Sequence, residues 1–170
     1  MPRLAVLIAT VALVLLPRLS CAVEAQFGSL QLDWPEGFTV RSTKPPFELA
    51  GPNGEKVLIT VMRSKTDTTG EARPDEQAKM VSVGAGFLDK QARAAGKIVV
   101  PASTDTLSDG SVLNLVGSET SSLFSSGYFL QYMLVSPSGR LAFVTVEGKG
   151  NVSEQHSKVL PVISKATWQP

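Results

Sequence analysis

The sequence predicts an α+β fold, an antiparallel β-sheet of about seven strands with helices packed on its faces. Three observations carry that prediction. Residues 126–149, SGYFLQYMLVSPSGRLAFVTVEGK, set two runs of aromatic and β-branched residues around Ser136-Pro137-Ser138-Gly139. This is a hairpin, because Pro137 presets φ and Gly139 accepts a positive φ. Both arms are apolar on both faces: Tyr128, Leu130, Tyr132 and Leu134 alternate with Phe129, Met133 and Val135, so the hairpin needs cover on two sides. Tight turns join nearly all the other strand signals, which requires antiparallel neighbours, and two helical patterns supply the cover.

Taken in order, residues 27–33 read as one strand, with Leu30 and Leu32 opposite Phe27, Ser29 and Gln31. Trp34-Pro35-Glu36-Gly37 is a turn, since proline cannot donate to a ladder and glycine takes angles closed to other residues. A short strand follows at 38–41 and Pro45-Pro46 interrupts it. Residues 47–50 and 56–63 make a hairpin around Gly51-Pro52-Asn53-Gly54. Its second arm carries Val57, Ile59 and Val61 on one face and Leu58 and Met62 on the other. Residues 64–73, SKTDTTGEAR, are a polar loop. Pro74 opens a helix where its missing N–H costs nothing, and Asp75 and Glu76 suit the dipole of the first turn. Met80, Val81, Gly84, Phe87, Leu88, Ala92 and Ala95 follow helical spacing, and Gly96 stops the helix. Gly84 lies on this stripe, which suggests close approach to the sheet; Gly86 has no explanation in the sequence.

Residues 97–100 read as a short strand ended by Pro101. Asp109-Gly110 joins strands at 104–107 and 111–119, and the serine-rich residues 120–126 read as a surface connection. After the central hairpin, Gly148-Lys149-Gly150 breaks the strand. Ser153 then caps a second helix with an apolar stripe of Val159, Val162, Ile163 and Ala166. Pro161 inside that helix predicts a kink or a restart.

The front of the chain has a different character. Met1-Pro2-Arg3 precedes an uninterrupted apolar run at 4–16. That run is short of the roughly 20 residues a membrane-spanning helix needs. It fits the apolar region of a secretory signal, with cleavage expected after Ala25 (Val23-Glu24-Ala25) or, as a second option, after Ala22 (Ser20-Cys21-Ala22). The expected organisation is a signal peptide at 1–25 and a single α+β domain at 26–170; an uncleaved anchor is the alternative. Cys21, the one cysteine, stands where a bacterial lipoprotein carries its acylated residue, but Arg18 departs from the Leu-small-small-Cys pattern. Lipidation there is the one expected route to a membrane. A lone cysteine forms no intramolecular disulfide, and export without disulfides points to a bacterial periplasmic or secreted protein. Removing Arg3 and Arg18 from 16 basic residues and Glu24 from 15 acidic ones leaves 14 of each. A neutral domain offers no electrostatic case for nucleic acid. A domain of about 145 residues buries roughly 68–70% of its unfolded surface, enough to fold without a metal or disulfide.

An opening strand followed by Pro35-Glu36-Gly37-Phe38, then hairpins, a middle helix, a long meander and a closing helix ending Ile163-Ser164-Lys165-Ala166-Thr167-Trp168, is an order with a relative. Over residues 27–168 it resembles the Mog1/PsbP-like superfamily, which includes bacterial DcrB-like envelope proteins. The resemblance is one of layout, and its single local match is the Pro-x-Gly-aromatic turn. It implies an α/β/α sandwich used mainly as a non-catalytic interaction module, with no shared catalytic motif to carry onto this chain.

The reactive side chains point the same way. His156 is the only histidine and sits among Glu154, Gln155 and Ser157 at the start of the closing helix. It reads as a solvated helix residue rather than a catalytic base. There is no Gly-x-Ser-x-Gly elbow, no P-loop spacing at Gly148-Lys149-Gly150-Asn151, and too few His and Cys for structural zinc. A calcium loop starting at Asp105 fails, because Leu107 and Val116 stand where oxygen ligands belong. No catalytic, cofactor-binding or metal-binding residue is therefore expected. Trp34 and Trp168 read as lids on the core. The polar loop, with Arg63, Lys65 and Arg73, is the expected partner surface, since loops carry function more often than strands. The expected function is an exported envelope protein that binds another envelope protein without catalysis. A carrier of a small apolar ligand or lipid is the second reading, and a hydrolase using scattered carboxylates the third.

Overall fold

The computed structural model describes residues 23–63, 74–122 and 125–169. In chain order the elements are β1 (Val23–Phe27), β2 (Leu30–Trp34), β3 (Thr39–Ser42), β4 (Phe47–Ala50), β5 (Lys56–Arg63), α1 (Pro74–Ala95), β6 (Lys97–Thr106), β7 (Val112–Ser122), β8 (Ser125–Val135), β9 (Arg140–Lys149), α2 (Val152–Ser164) and β10 (Thr167–Trp168). Seven strands form the main sheet in the order β3-β4-β5-β9-β8-β7-β6, and β1, β2 and β10 form a small second sheet. Every neighbouring pair is antiparallel.

The β8–β9 hairpin sits at the middle of the main sheet, paired from Gly127↔Lys149 to Val135↔Leu141. Its turn closes as the residues dictate. Gly139 has φ 74°, and its N–H donates to the Ser136 carbonyl at 3.1 Å. The Ser136 N–H donates to the Arg140 carbonyl at 2.9 Å, and the Arg140 N–H donates to Ser136 Oγ at 2.9 Å. Side chains alternate to opposite faces. Leu130, Tyr132 and Leu134 join Val57, Ile59, Val144 and Val146 in the larger core, closed by Val159 and Ile163 of α2 and by Phe27, Leu30, Leu32 and Trp34 of the small sheet. Met133 and Val135 face the other way and form a smaller core with Val116, Leu88 and Ala92 under α1. The two helices thus lie on opposite faces, the α/β/α layering expected from the sequence.

Several boundaries differ from the sequence reading, each for a local reason. Residues 27–33 are not one strand. Gly28, at φ 63°, reverses the chain so that Phe27 pairs with Leu30 and two strands result. Pro101 does not end β6, because β6 is a sheet edge that needs no donor on its outer side, and irregular register between Val100 and Ser103 absorbs the proline. The serine-rich connection is largely ladder, with Thr120↔Gly127, Ser121↔Ser126 and Ser122↔Ser125. Gly148 does not break β9. A Cβ there would lie 2.4 Å from the Tyr128 hydroxyl, so glycine makes room for the tyrosine. Asn151, not Ser153, caps α2, its Oδ1 accepting from the Glu154 N–H at 3.0 Å, and the helix continues through Pro161 without a restart. Trp34 is buried and Trp168 is half-buried with its Nε1 donating to Ser111 Oγ at 3.1 Å, so both close the core.

The cover is unequal. α1 lies over β6, β7 and β8, so the same face of β5 and β9 is left with Leu58, Met62, Leu141 and Phe143 only partly covered or exposed.

The glycines of α1 give opposite expectations. A Cβ on Gly84 would lie 2.0 Å from Met133 Sδ, whereas one on Gly86 meets nothing within 4 Å. Gly86→Ala should therefore stabilise by about 1 kcal/mol, the helix-propensity gain. Gly84→Ala should lose that gain to overpacking of about 1–3 kcal/mol. Urea denaturation of the two variants checks this; a similar gain in both would show that Gly84 is not a packing glycine.

Candidate functional site

The residues singled out as a partner surface do not assemble in the described part of the molecule. Arg63 ends β5, opposite Arg140 in the ladder, while Lys65 and Arg73 lie outside the described residues. Ala25 is the middle residue of β1, opposite Leu32 and packed against the core. Cys21 and the apolar run at 4–16 also lie outside the described residues. Among the described residues, no group of His, Cys, Asp and Glu has a metal-holding arrangement, and no helix is long and apolar enough to cross a membrane.

His156 is half-buried and partnered rather than freely solvated. Its Nδ1 lies 3.0 Å from the Tyr132 hydroxyl, and the two rings stack at 6.0 Å with 10° between planes. Tyr132 is buried on β8, so α2 brings the imidazole down onto the sheet. Burial lowers the His156 pKa and, with nearby Tyr128, raises that of Tyr132. Ser111 is likewise committed: its Oγ donates to Asp109 Oδ2 at 2.9 Å and accepts from Trp168.

Among the concave surfaces of the described residues, two have mainly apolar walls. The first is an apolar groove of about 350 Å³ between α1 and the open half of the sheet, lined by Met62, Met80, Val83, Phe87, Leu141 and Phe143. Among the described residues five large apolar side chains are exposed, and three of them meet here: Met62 (44%), Val83 (67%) and Phe87 (46%). Phe87 packs edge-on against Phe143 with centroids 5.6 Å apart. The helical stripe in the sequence already held Met80 and Phe87. Val83 lies at the edge of that stripe and widens it, the one signal that could have marked this face.

The second is a cleft of about 510 Å³ where the 34–38 turn, the 51–55 turn and α2 converge. Trp34, Phe38, Pro52, Val159 and Val162 give it apolar walls, with the Trp34 and Phe38 rings 5.1 Å apart. Glu55 is held in it: Oε2 accepts from the Asn53 N–H at 2.7 Å and Oε1 from Asn53 Nδ2 at 3.0 Å. Burial works to raise the Glu55 pKa, but these hydrogen bonds and the charge of Lys158 outweigh it and leave it lowered. Lys158 is itself paired to Glu154 at 2.6 Å, which lowers the Glu154 pKa. Burial and the Glu55 charge raise the pKa of Tyr128 on β8 to about 12. Of the groups with shifted pKa values, Glu55 alone lines this cleft; Glu154 and His156 lie on the same helix, and Tyr132 pairs with His156. No sequence motif announces the cleft, because its residues come from three separated stretches.

No protein-family model matches the chain, and no curated protein matches it in sequence. Solved structures do resemble it. A protein from Bacteroides thetaiotaomicron VPI-5482 matches at 6% identity and TM-score 0.56, covering 89% of this chain; this chain spans about half of its length, 49%. LpqN, involved in cell envelope biogenesis of Mycobacterium tuberculosis, matches at 16% identity and TM-score 0.53, covering 83% of each chain. A Mog1 variant matches at 10% identity and TM-score 0.48, covering 88% of this chain and 95% of that one. The likeness to the Bacteroides protein and to LpqN is one of fold alone.

The His156 pair makes a pH prediction. Because its folded pKa lies below the usual 6.5, the unfolded chain binds a proton that the folded chain refuses between the two values. Stability therefore rises with pH across that window and is lost as pH falls from 6.5 through the folded value. Melting temperatures measured across this range should slope for the natural protein and flatten for His156→Gln; equal slopes would remove His156 as the cause.

Proposed function

We propose that the protein is an exported bacterial envelope protein that acts as a non-catalytic interaction module and binds a protein partner in the groove beside α1. The observation that carries this reading is the convergence of Met62, Val83 and Phe87, exposed apolar side chains, on one groove. Soluble domains keep contiguous apolar patches small unless something covers them. Methionine suits such a surface, since its flexible thioether adapts to the shape of a partner. The envelope setting draws on the apolar run at 4–16, on the single cysteine, and on the fold shared with LpqN. Arg63 follows Met62 in β5, and Lys65 and Arg73, expected with it as a basic surface, lie outside the described residues. Catalysis has little support: the one histidine is spent on Tyr132, and Ser111 faces a carboxylate and an indole rather than a base.

A second reading, a carrier of a small apolar ligand or lipid, is favoured by the same groove's nearly all-apolar lining. Signal cleavage after Ala25 would remove Val23, Glu24 and Ala25 from β1, whereas cleavage after Ala22 would leave that strand whole. The intact mass of the mature protein decides between them.

A photo-crosslinking residue at Val83, in cells, should give discrete protein adducts that disappear when Phe87→Asp is added, and the same probe at exposed Lys165 should give none. Adducts unaffected by Phe87→Asp would refute the groove as the docking face. Lipid adducts at Val83, with no protein adduct, would support the carrier reading instead.

A further inference from the structure

The cleft at the N-terminal half of α2 is a separate site from the groove, on the opposite face of the sheet. We infer that it binds a small organic cation, an ammonium or guanidinium group meeting Glu55 with an apolar body lying along Phe38, Pro52 and Val162. Its volume of about 510 Å³ falls within the range of small-ligand pockets, roughly 300–1,000 Å³. Its walls are mostly apolar, which suits the body of such a ligand. Glu55 brings a negative charge to it, and Lys158, the one lining cation among the described residues, is paired with Glu154 at 2.6 Å.

Glu55 is built to stay in place. The two hydrogen bonds from Asn53 use one acceptor position on each carboxylate oxygen, and each oxygen can accept again. The turn that presents it is closed by the Gly51 N–H donating to the Glu55 carbonyl at 2.8 Å. A Cβ on Gly51 would lie 2.4 Å from Glu55 Oε2 and 2.9 Å from the Phe38 ring, so glycine there lets carboxylate and ring come together. An anion fixed beside an aromatic and apolar wall is the arrangement that receives an alkylated cation, through charge at one end and ring or apolar contact along the other. The inner wall holds one further feature. Trp34 lines the cleft, is 1% exposed, and its Nε1 has no hydrogen-bond partner among the described residues.

The test uses phenethylammonium as the probe and 3-phenylpropionate as a control of the same shape and opposite charge. In ¹H–¹⁵N spectra of the folded protein, phenethylammonium should shift the Trp34 indole N–H saturably and leave that of Trp168 in place, while 3-phenylpropionate shifts neither. Glu55→Gln should weaken binding about tenfold, the loss of one charge-assisted contact. Lys158→Ala, which removes the competing cation from an exposed position, should strengthen it. The second variant keeps the test decisive if Glu55→Gln disturbs the turn. Equal binding of both probes would overturn the inference in favour of a merely apolar cleft. No Trp34 shift up to the solubility limit, or weaker binding in Lys158→Ala, would overturn it outright. None of these outcomes bears on crosslinking at Val83, so the groove and the cleft stand or fall separately.

Discussion

The rest of the structure depends on a strand that has no polar face. β8 sends Tyr128, Leu130, Tyr132 and Leu134 to one side and Met133 and Val135 to the other, and all six are buried. Such a strand is stable only in the middle of a sheet with a layer on each side. Its register is fixed by the same residues, because a slip by one position would exchange the two faces. Small residues on its neighbours make the packing exact in shape. A Cβ on Gly117 would lie 2.6 Å from Leu130 Cδ2, and one on Gly148 would meet the Tyr128 hydroxyl. The glycines of β7 and β9 are therefore part of how the large β8 side chains fit, not interruptions of the strands.

A sheet of seven strands is roughly 30 Å wide, at about 4.8 Å per strand. One helix, about 10 Å across, covers two or three strands. On one face α2 has help, since the β1-β2-β10 sheet covers the remainder and the larger core results. On the other face α1 works alone, and the strip over β5 and β9 stays open. The apolar groove follows from this shortage of cover rather than from any special motif. The cleft has a different origin. It forms where two turns and a helix, all convex, meet without filling the space between them, and the charged residues at its mouth come from the parts of these elements that face solvent.

What could be read in the sequence was what repeats with a short period or is enforced by a single residue. The Pro137-Gly139 turn, the helix opened by Pro74 and the two-faced hairpin all appear where they were expected. The misreadings share a cause, which is that a residue's effect depends on its place in the sheet. Pro101 ends a central strand but not an edge one, and β6 becomes an edge only through the order of the whole sheet. Gly28 reads as one position in an alternating strand until the chain reverses at it. His156 looks solvated because nothing within its own helix shows that Tyr132, 24 residues earlier, lies beneath it. The groove was half legible, through the helical stripe. The cleft was not, because no short-range rule relates residue 34 to residue 55 or 158.

The two cores also differ in what holds them, and this bears on how the open face works. Among the described residues the core under α2 contains 22 buried apolar side chains and the one under α1 only five. α1 is tied down instead by polar contacts of defined geometry. Asn114, buried on β7, donates through Nδ2 to the Val81 carbonyl at 3.0 Å and accepts at Oδ1 from Thr104 Oγ1 at 2.6 Å. Gln131 on β8 donates to Gln91, and Gln77 donates to the Val135 carbonyl at 3.2 Å. Buried polar atoms without a partner do not separate the two cores: Ser118 Oγ and Gln131 Oε1 lie under α1, and Trp34 Nε1 and the Tyr128 hydroxyl lie in the larger core. Hydrogen bonds fix position while adding little net stability, about 1 kcal/mol each. α1 is thus held in one register but bound weakly, and local opening concentrates where few apolar contacts are buried. The side of the molecule that carries the exposed groove is therefore the side most able to adjust to a partner, and a ligand covering Met62, Val83 and Phe87 would supply the apolar burial that this layer lacks.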